Sequence, residues 1–185
     1  MNLLTVTNLS AGYAGKQVIK DISFFVAPKT IVGILGANGC GKTTLIKAIA
    51  NLLPHTGSCQ LDDTYLENAS PRQLALLCGY IPQKSGISID LTLLDVVLMG
   101  FNPKLSLLQS PTEQMKKEAF DALCSVGLGS RKDDNFQQLS EGQKQLCLLA
   151  RTFVLKRRLL LLDEPEMKRW DFCERMLQKT TPPHL

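Results

Sequence analysis

One run of residues in this chain, Gly36–Thr44, combines side chains and glycines that suit a polyanionic ligand. The glycines allow consecutive backbone amides to turn towards one point, where they can donate hydrogen bonds to phosphate oxygens. Lys42 adds a compact cation, and the hydroxyl of Thr43 is an oxygen ligand for a divalent cation. This spacing is that of a phosphate-binding loop and predicts a nucleoside triphosphate with Mg²⁺ as the ligand. The predicted contact residues are Gly36, Asn38, Gly39, Cys40, Gly41, Lys42, Thr43 and Thr44.

The elements that must position this loop flank it on both sides. Thr30–Leu35 is an apolar run and predicts a buried strand that enters the loop. Leu45–Ala50 predicts the helix that leaves it, and the positive end of the helix dipole would face the bound phosphates. Strand, glycine-rich loop and helix in this order are the structural context that such a motif requires.

A second chemical element, Asp163-Glu164, follows a run of leucines. Arg158–Leu162 predicts a fully buried strand, so Asp163 is expected at the carboxyl end of a strand, where α/β sheets bind ligands. There it could hold Mg²⁺ through a water molecule. Glu164 could polarise an attacking water as general base. The alternative is a strand that simply runs out into solvent.

The rest of the chain predicts an α/β protein. Leu3–Leu9 and Ile22–Val26 partly alternate between apolar and polar residues and indicate N-terminal β structure. Gly79–Pro82 reads as a strand that ends at proline, residues 84–138 as mainly helical, and Ser140–Leu155 as an amphipathic helix. Apolar strands that are separated by helices favour a parallel sheet in the core.

Composition and charge favour a cytosolic globular protein. The 185 residues are 44% hydrophobic and 21% charged. No apolar run approaches the roughly 20 residues that span a bilayer. The first residues have neither a basic region nor a cleavage site, so no signal peptide is expected. The net charge of +4 comes from scattered basic pairs, which favour a solvated surface over a nucleic-acid interface.

The cysteines show no metal-binding or disulfide pattern. Six cysteines contain no Cys-x-x-Cys pair and only two histidines are present, which argues against a zinc site and for reduced thiols. Cys40 stands out because it lies inside the phosphate-binding loop. One interpretation is a small, tolerated side chain, and the other is that alkylation of Cys40 blocks nucleotide binding.

Three further segments resemble motifs of the ABC-type ATPases. Leu139–Gln143 is similar to the signature sequence of that family, and Tyr80–Gln83 matches its glutamine loop. Tyr13 stands where the family stacks an aromatic ring on adenine. With the phosphate-binding loop these motifs extend from residue 13 to 165, and the chain is identified as a member of the family. The alternatives are a turn or core tyrosine at Tyr13 and a solvent-exposed loop residue at Gln83.

The resemblance implies an α/β fold, namely a P-loop NTPase core with an N-terminal antiparallel β region and an inserted helical subdomain. We expect a single ATP-binding domain over residues 1–185. Its parts are the β region and phosphate-loop core over 1–83, the helical subdomain over 84–155, the Asp-Glu strand over 156–165 and an atypical tail over 166–185.

The resemblance also implies the chemistry of the site. In the family, two ATP-binding domains face each other head to tail and enclose two ATP molecules with Mg²⁺. The phosphate-binding loop of one domain holds the nucleotide, while Ser140, Gly142 and Gln143 of the other would contact its γ-phosphate. Gln83 would contact Mg²⁺ and the attacking water. The implied metal ligands are Thr43, Gln83 and Asp163, and the implied catalytic residues are Glu164 and Gln83.

After Pro165 the resemblance fails. Glu166–Asp171 has large charged residues where the family has small ones, and His184 cannot replace the family's γ-phosphate histidine because it follows Pro182-Pro183. The family strand that carries this histidine lies inside the sheet, so its loss would leave backbone groups unpaired. We therefore expect the C-terminal part of the core to be missing, the chain to be a truncated or frame-disrupted product, and hydrolysis to be weak or absent.

The resemblance implies the ATP-binding subunit of a membrane transporter, which couples ATP binding and hydrolysis to substrate import. Leu91–Gly100 is similar to the same region in importers of iron chelates, haem and cobalamin, although it also fits a generic apolar helix. Expected partners are a second ATP-binding subunit, identical or not, and transmembrane permease subunits, with no nucleic acid and no direct membrane insertion. The expected location is cytoplasmic, peripheral to the inner face of the cell membrane. The alternatives are a nucleotide-binding fragment without hydrolysis and a soluble ABC-type ATPase outside transport.

Overall fold

The chain forms two units. The computed structural model describes residues 2–83, 86–87, 89–106 and 108–163. The first unit comprises Met1–Leu74 and Leu161–Leu185. The second unit comprises Ala75–Leu160. The predicted subdivision of residues 1–185 stays a prediction.

The first unit is built on a four-stranded antiparallel sheet. Its strands are β1 (Leu4–Tyr13), β2 (Lys16–Val26), β3 (His55–Leu61) and β4 (Thr64–Tyr65). They lie in the order β2-β1-β3-β4, and each neighbouring pair is antiparallel. Residues on one face of β1 and β3 are buried in the core, among them Leu4, Val6, Cys59 and Leu61. The predicted N-terminal antiparallel region is confirmed.

A two-residue turn joins β1 to β2. Ala14 and Gly15 have φ angles of 48° and 79°. Two consecutive positive φ angles match the twist of the strands that such a hairpin connects. Tyr13 and Lys16 pair directly across the turn, so Tyr13 lies at the end of the sheet.

One helix, α1 (Lys42–Ile49), packs against this sheet. Its buried face consists of Thr44, Leu45, Ile46, Ala48 and Ile49. These positions recur at the spacing that places apolar residues on one side of a helix. The predicted helix after the phosphate-binding loop is confirmed, and it begins directly at Lys42.

The predicted buried strand before the loop is wrong in this structure. Thr30–Leu35 forms no strand, and Ile31, Val32 and Leu35 are 47%, 52% and 95% exposed. A β-prone sequence becomes a strand only when another strand pairs with it. Among the described residues no strand takes this position beside the segment. In the described part of the chain, the segment that enters the loop is therefore not paired in a sheet.

The second unit is mainly helical. Its elements are β5 (Cys78–Ile81), α3 (Leu93–Leu98), α4 (Glu113–Ser125) and α5 (Glu141–Phe153), preceded by α2 (Pro71–Leu77). Side-chain oxygens of Thr92, Thr112 and Ser140 cap the starts of α3, α4 and α5. The buried core of the three helices includes Leu93, Val96, Val97, Ala119, Leu123 and Leu148. The predicted helix after Ser140 is confirmed, and no helix of the described part is long and apolar enough to cross a membrane.

The leucine strand before Asp163 is less buried than predicted. This strand, β6 (Leu159–Leu162), forms a two-stranded sheet with β5. Leu159 and Leu161 are buried, whereas the alternate residues are only half-buried. In the described part of the chain this sheet has two strands, so the cover that a fully buried strand needs is incomplete. The predicted tail over 166–185, with His184, lies outside the described residues.

Candidate nucleotide-binding site

Two glycines of the phosphate-binding loop have backbone conformations that other residues rarely adopt. Gly39 and Gly41 have φ angles of 81° and 102°. A Cβ atom on Gly41 would lie 2.8 Å from Cγ2 of Ile19 and 3.2 Å from Cγ1 of Val18. Strand β2 thus leaves no room for a side chain there, and the end of the loop is fixed against the sheet.

The start of α1 carries partial positive charge and has no acidic residue of its own. Gly41 precedes the helix without a side-chain cap, and the first turn contains no acidic residue. The first amides of a helix have no acceptors within the helix, and the helix dipole adds partial positive charge there. This combination suits a bound phosphate group.

The ammonium group of Lys42 lies over the loop. Its Nζ donates to the carbonyl oxygen of Gly36 at 2.9 Å and to that of Ala37 at 3.0 Å. An ammonium group carries three donors, so these two bonds leave one for a ligand. Lys42 is therefore placed where a phosphate that is bound by the loop could accept from it.

Thr43 and Asp163 meet, although 120 positions separate them in the chain. The hydroxyl of Thr43 donates to Oδ1 of Asp163 at 2.8 Å, and Asp163 is only 5% exposed. Burying a carboxylate is costly unless a donor or a metal compensates its charge. Hydroxyl and carboxylate oxygens are ligands that Mg²⁺ prefers. These two residues beside the loop therefore fit a Mg²⁺ ion.

The remaining predicted contacts of the first unit differ in exposure. Asn38 and Cys40 are exposed on the loop, and the Cys40 thiol forms no disulfide. Tyr13 is 46% exposed, so its ring can stack on a planar ligand. Thr44, by contrast, is buried on the inner face of α1. Glu164, the predicted general base, lies outside the described residues, and the roles of all five stay predictions.

The signature turn, Ser140–Gln143, closes on itself. The hydroxyl of Ser140 accepts from the Gln143 amide at 3.4 Å, and Oε1 of Gln143 accepts from the Ser140 amide at 3.1 Å. This reciprocal pair is a capping box, for which the spacing Ser-x-x-Gln is the sequence signal. Gly142 lies between them with open space where a Cβ would be. A ligand at this turn would therefore compete with the Gln143 side chain for the Ser140 amide.

Gln83 is fixed through its backbone by a residue that sequence reasoning missed. Nε2 of Gln145 donates to the carbonyl oxygen of Gln83 at 2.7 Å. Gln145 lies on α5, 62 positions further along the chain. Only the fold brings the two together, so no local sequence signal could have identified the contact.

Arg157 is a second residue that was missed. Its guanidinium donates to the carbonyl oxygens of Ala75 at 2.9 Å, Thr152 at 2.6 Å and Gly100 at 3.4 Å. Burial and the neighbouring Arg151 lower the pKa of Arg157, yet an arginine stays charged at neutral pH. Arg157 therefore joins the last turns of α2 and α5 to the segment after α3.

Two thiols of the second unit, those of Cys78 and Cys147, are unreactive near neutral pH. Burial raises the pKa of Cys147 to about 12 and that of Cys78 to about 11. The reactive species is the thiolate, so both thiols stay protonated and unreactive near neutral pH. The exposed Cys40 is accessible in a way that these two are not.

A sequence profile described as "ABC transporter" matches residues 19–167. The chain belongs to the ABC transporter family. The matched span contains the phosphate-binding loop, Gln83, the signature turn and Asp163, and it excludes Tyr13. Family membership confirms the recognition that those motifs predicted.

Named relatives of this family member are ATP-binding proteins of metal-related transport. A "Probable iron chelatin transport ATP-binding protein" of Helicobacter pylori is 39% identical over 168 residues, which are 88% of this chain and 65% of the relative. "Hemin import ATP-binding protein HmuV" of Bordetella parapertussis is 36% identical over 171 residues, 88% of this chain and 64% of the relative. "Manganese transport system ATP-binding protein MntB" of Halalkalibacterium halodurans is 34% identical over 165 residues, with the same two shares. The chain thus spans a little under two thirds of each relative.

Solved ABC structures confirm the P-loop fold. A structure described as the ATP binding subunit of an ABC transporter has a TM-score of 0.80 at 26% identity, over 96% of this chain and 74% of that one. The ATP-binding cassette MJ1267 has a TM-score of 0.84 at 24% identity, over 97% and 78%. The predicted mixed α/β fold with a P-loop core is therefore confirmed.

Proposed function

We propose that this chain is the ATP-binding subunit of an ABC importer and couples ATP binding and hydrolysis to the import of iron chelates or related metal complexes. The observation that carries the nucleotide part is the bond of 2.8 Å between Thr43 and Asp163. It joins the phosphate-binding loop to the acidic residue at the end of β6. The cargo rests on the names of the relatives, which include iron chelatin and hemin transport proteins.

Each residue of the first unit has a distinct role in this proposal. The amides at the start of α1 and the free donor of Lys42 bind the phosphates, and Tyr13 stacks on the adenine. Thr43 and Asp163 hold Mg²⁺, directly or through water. Mg²⁺, when bound, would neutralise charge on the β- and γ-phosphates.

Three further roles rest on the family resemblance alone. Glu164 acts as general base, and Gln83 contacts Mg²⁺ and the attacking water. The signature turn, Ser140–Gln143, contacts the γ-phosphate of an ATP that a second subunit holds, so a head-to-tail dimer is required. Transmembrane permease subunits complete the transporter, and the chain lies at the inner face of the membrane through them.

Nucleotide binding is tested with the purified chain and a fluorescent ATP analogue. Lys42→Gln should weaken Mg-ATP binding at least tenfold, because it removes a charge-assisted hydrogen bond of about 1.5–3 kcal/mol. Lys47→Gln, the same change later in α1, is the control and should bind like wild type. Equal affinity of the Lys42 variant and wild type would refute the assigned phosphate site.

The metal ligands are tested separately. In the wild type, EDTA should weaken ATP binding, whereas in Asp163→Asn the difference between Mg-ATP and metal-free ATP should largely disappear. Phosphate release then measures hydrolysis, and co-purification with co-expressed hydrophobic permease subunits tests the role in transport. An Asp163→Asn variant with an unchanged Mg²⁺ requirement would contradict the proposed ligand.

A second candidate is nucleotide binding without hydrolysis. The observation that favours it is the exposure of Ile31, Val32 and Leu35, because a loop whose entering segment is not paired in a sheet is less well ordered for catalysis. Tight Mg-ATP binding together with phosphate release no faster than in Lys42→Gln would favour this candidate over the ATPase.

A further inference from the structure

Two segments of the second unit are hydrogen-bonded to each other near the start of α3. One comprises Gln83, residues 86–87 and residues 89–94, and the other runs from Lys132 to Gln145. The backbone bonds are Leu94 N to Lys132 O at 3.0 Å, Leu93 N to Asp134 O at 3.1 Å and Phe136 N to Leu91 O at 2.9 Å. Thr92 and Asn135 form an antiparallel bridge here, so the two backbones are paired as neighbouring strands are.

Side-chain amides continue the pairing beyond these backbone bonds. Nδ2 of Asn135 donates to Oδ1 of Asp90 at 3.0 Å. Nε2 of Gln137 donates to the carbonyl oxygen of Ile87 at 2.6 Å. Along the first segment these contacts extend from Leu94 towards Gln83.

Gln145 makes the last of these contacts. Its Nε2 donates to the Gln83 carbonyl at 2.7 Å. Gln145 also lies about one helical turn after Ser140, whose hydroxyl caps α5. The same first turns of one rigid helix therefore hold both the backbone of Gln83 and the signature turn.

We propose that Gln145 is a positioning residue that couples Gln83 to the signature turn, so that a displacement of one displaces the other. This coupling rests on the proposed function, in which Gln83 senses Mg-ATP and the signature turn receives the nucleotide of a second subunit. It adds a residue that contacts neither ligand.

The loss of this donor has a defined consequence. A net hydrogen bond contributes about a factor of ten or somewhat less to the equilibrium between the closed and the locally opened segment. Without it, the Gln83 carbonyl loses its bond to α5, and the backbone there opens more readily. Gln145→Met has a similar length but no donor, whereas Gln145→Arg restores donors. Gln114→Met on α4 is the matched control, because Gln114 donates to Glu118 within its own helix.

The first arm of the experiment uses the full chain without nucleotide. Hydrogen–deuterium exchange of the peptide over 78–83 should be about five- to tenfold faster in Gln145→Met than in wild type. It should return towards the wild-type rate in Gln145→Arg and stay unchanged in Gln114→Met. Equal exchange in wild type and Gln145→Met would overturn the proposal, whether or not the chain binds ATP.

The second arm adds Mg-ATP and measures its affinity alongside the exchange of the peptide over 139–147. In the wild type and in Gln145→Arg, Mg-ATP should change this exchange. In Gln145→Met the affinity should stay within about twofold of wild type while the change at 139–147 is lost, which separates coupling from folding. If Mg-ATP still changes the exchange at 139–147 in Gln145→Met, the proposal is overturned. If the wild-type chain does not bind Mg-ATP, the proposed function is refuted, and with it any nucleotide-driven role of Gln145.

Discussion

Replacing Arg157 by methionine tests how the C-terminal end of α5 is held. The guanidinium donates to carbonyl oxygens of three segments, at Ala75, Thr152 and Gly100. Thr152 lies in the last turn of α5, where carbonyls have no partner within the helix. Methionine keeps much of the apolar stem of arginine but none of its donors.

The magnitude follows from the two shorter bonds, at 2.6 and 2.9 Å, since the bond of 3.4 Å to Gly100 adds little. Hydrogen bonds to a charged group contribute about 1.5–3 kcal/mol each. The desolvation that lowers the pKa of Arg157 offsets part of this sum. We therefore expect Arg157→Met to lower the free energy of unfolding by about 2–4 kcal/mol.

The assay is urea unfolding followed by the far-ultraviolet helix signal, which reports mainly on the second unit because α3, α4 and α5 lie there. Arg157→Lys should retain one or two of the bonds and lose about 1–2 kcal/mol. Lys156→Met changes the exposed neighbouring cation and should stay within about 0.5 kcal/mol of wild type. If the free energy of unfolding falls by less than about 1 kcal/mol in Arg157→Met, or falls equally in both Arg157 variants, the hydrogen bonds from Arg157 to the three carbonyls do not stabilise the fold as argued.

Three further predictions follow from thiols and from exposed apolar residues. Alkylation of Cys40 in a Cys124→Ser, Cys173→Ser background, which removes the other exposed thiol of the described residues and the thiol that lies outside them, should abolish Mg-ATP binding, and full binding after complete modification would disprove this. Burial raises the pKa of Cys147 from an ordinary 9.0 to about 12 in the folded chain. Above about pH 9 the unfolded chain therefore loses this proton first, and the free energy of unfolding falls by up to about 1.4 kcal/mol per pH unit. In Cys147→Ala the urea midpoint should decline less steeply as the pH rises. The double variant Ile31→Thr, Val32→Thr should raise the concentration at which the chain aggregates in light scattering by several-fold, because both side chains are exposed in a β-prone run, and unchanged aggregation would count against this segment.

Local sequence patterns predicted the features that neighbouring residues determine, such as where a helix begins. The start of α5 at Ser140 follows from a capping residue before an amphipathic run, and α1 follows from the glycine loop that precedes it. The pairing of Thr43 with Asp163 was predicted in kind, since both were assigned to one metal ion. Its geometry needed the structure, because the four strands β3 to β6 and the helices α2 to α5 separate the residues in sequence.

The failures all concern partners that are distant in sequence. Thr30–Leu35 has the composition of a buried strand, but composition does not supply a neighbouring strand. The half-burial of Leu160 has the same origin. Gln145 and Arg157 were missed because their acceptors are backbone carbonyls, which every residue possesses and no sequence pattern distinguishes.

The bond between Thr43 and Asp163 also sets an order of events during synthesis. The sheet and the phosphate-binding loop leave the ribosome before Asp163 does, and the 120 intervening positions take about 6–24 s to translate at roughly 5–20 residues per second. During that interval a nascent chain can hold phosphates on its loop without the carboxylate that completes the proposed metal site. Closing so long a loop also costs conformational entropy, which grows only slowly with loop length. Under the proposed function, metal-dependent recognition therefore arises only once Asp163 has been synthesised, and a nucleotide that is captured earlier would be bound without the proposed metal site.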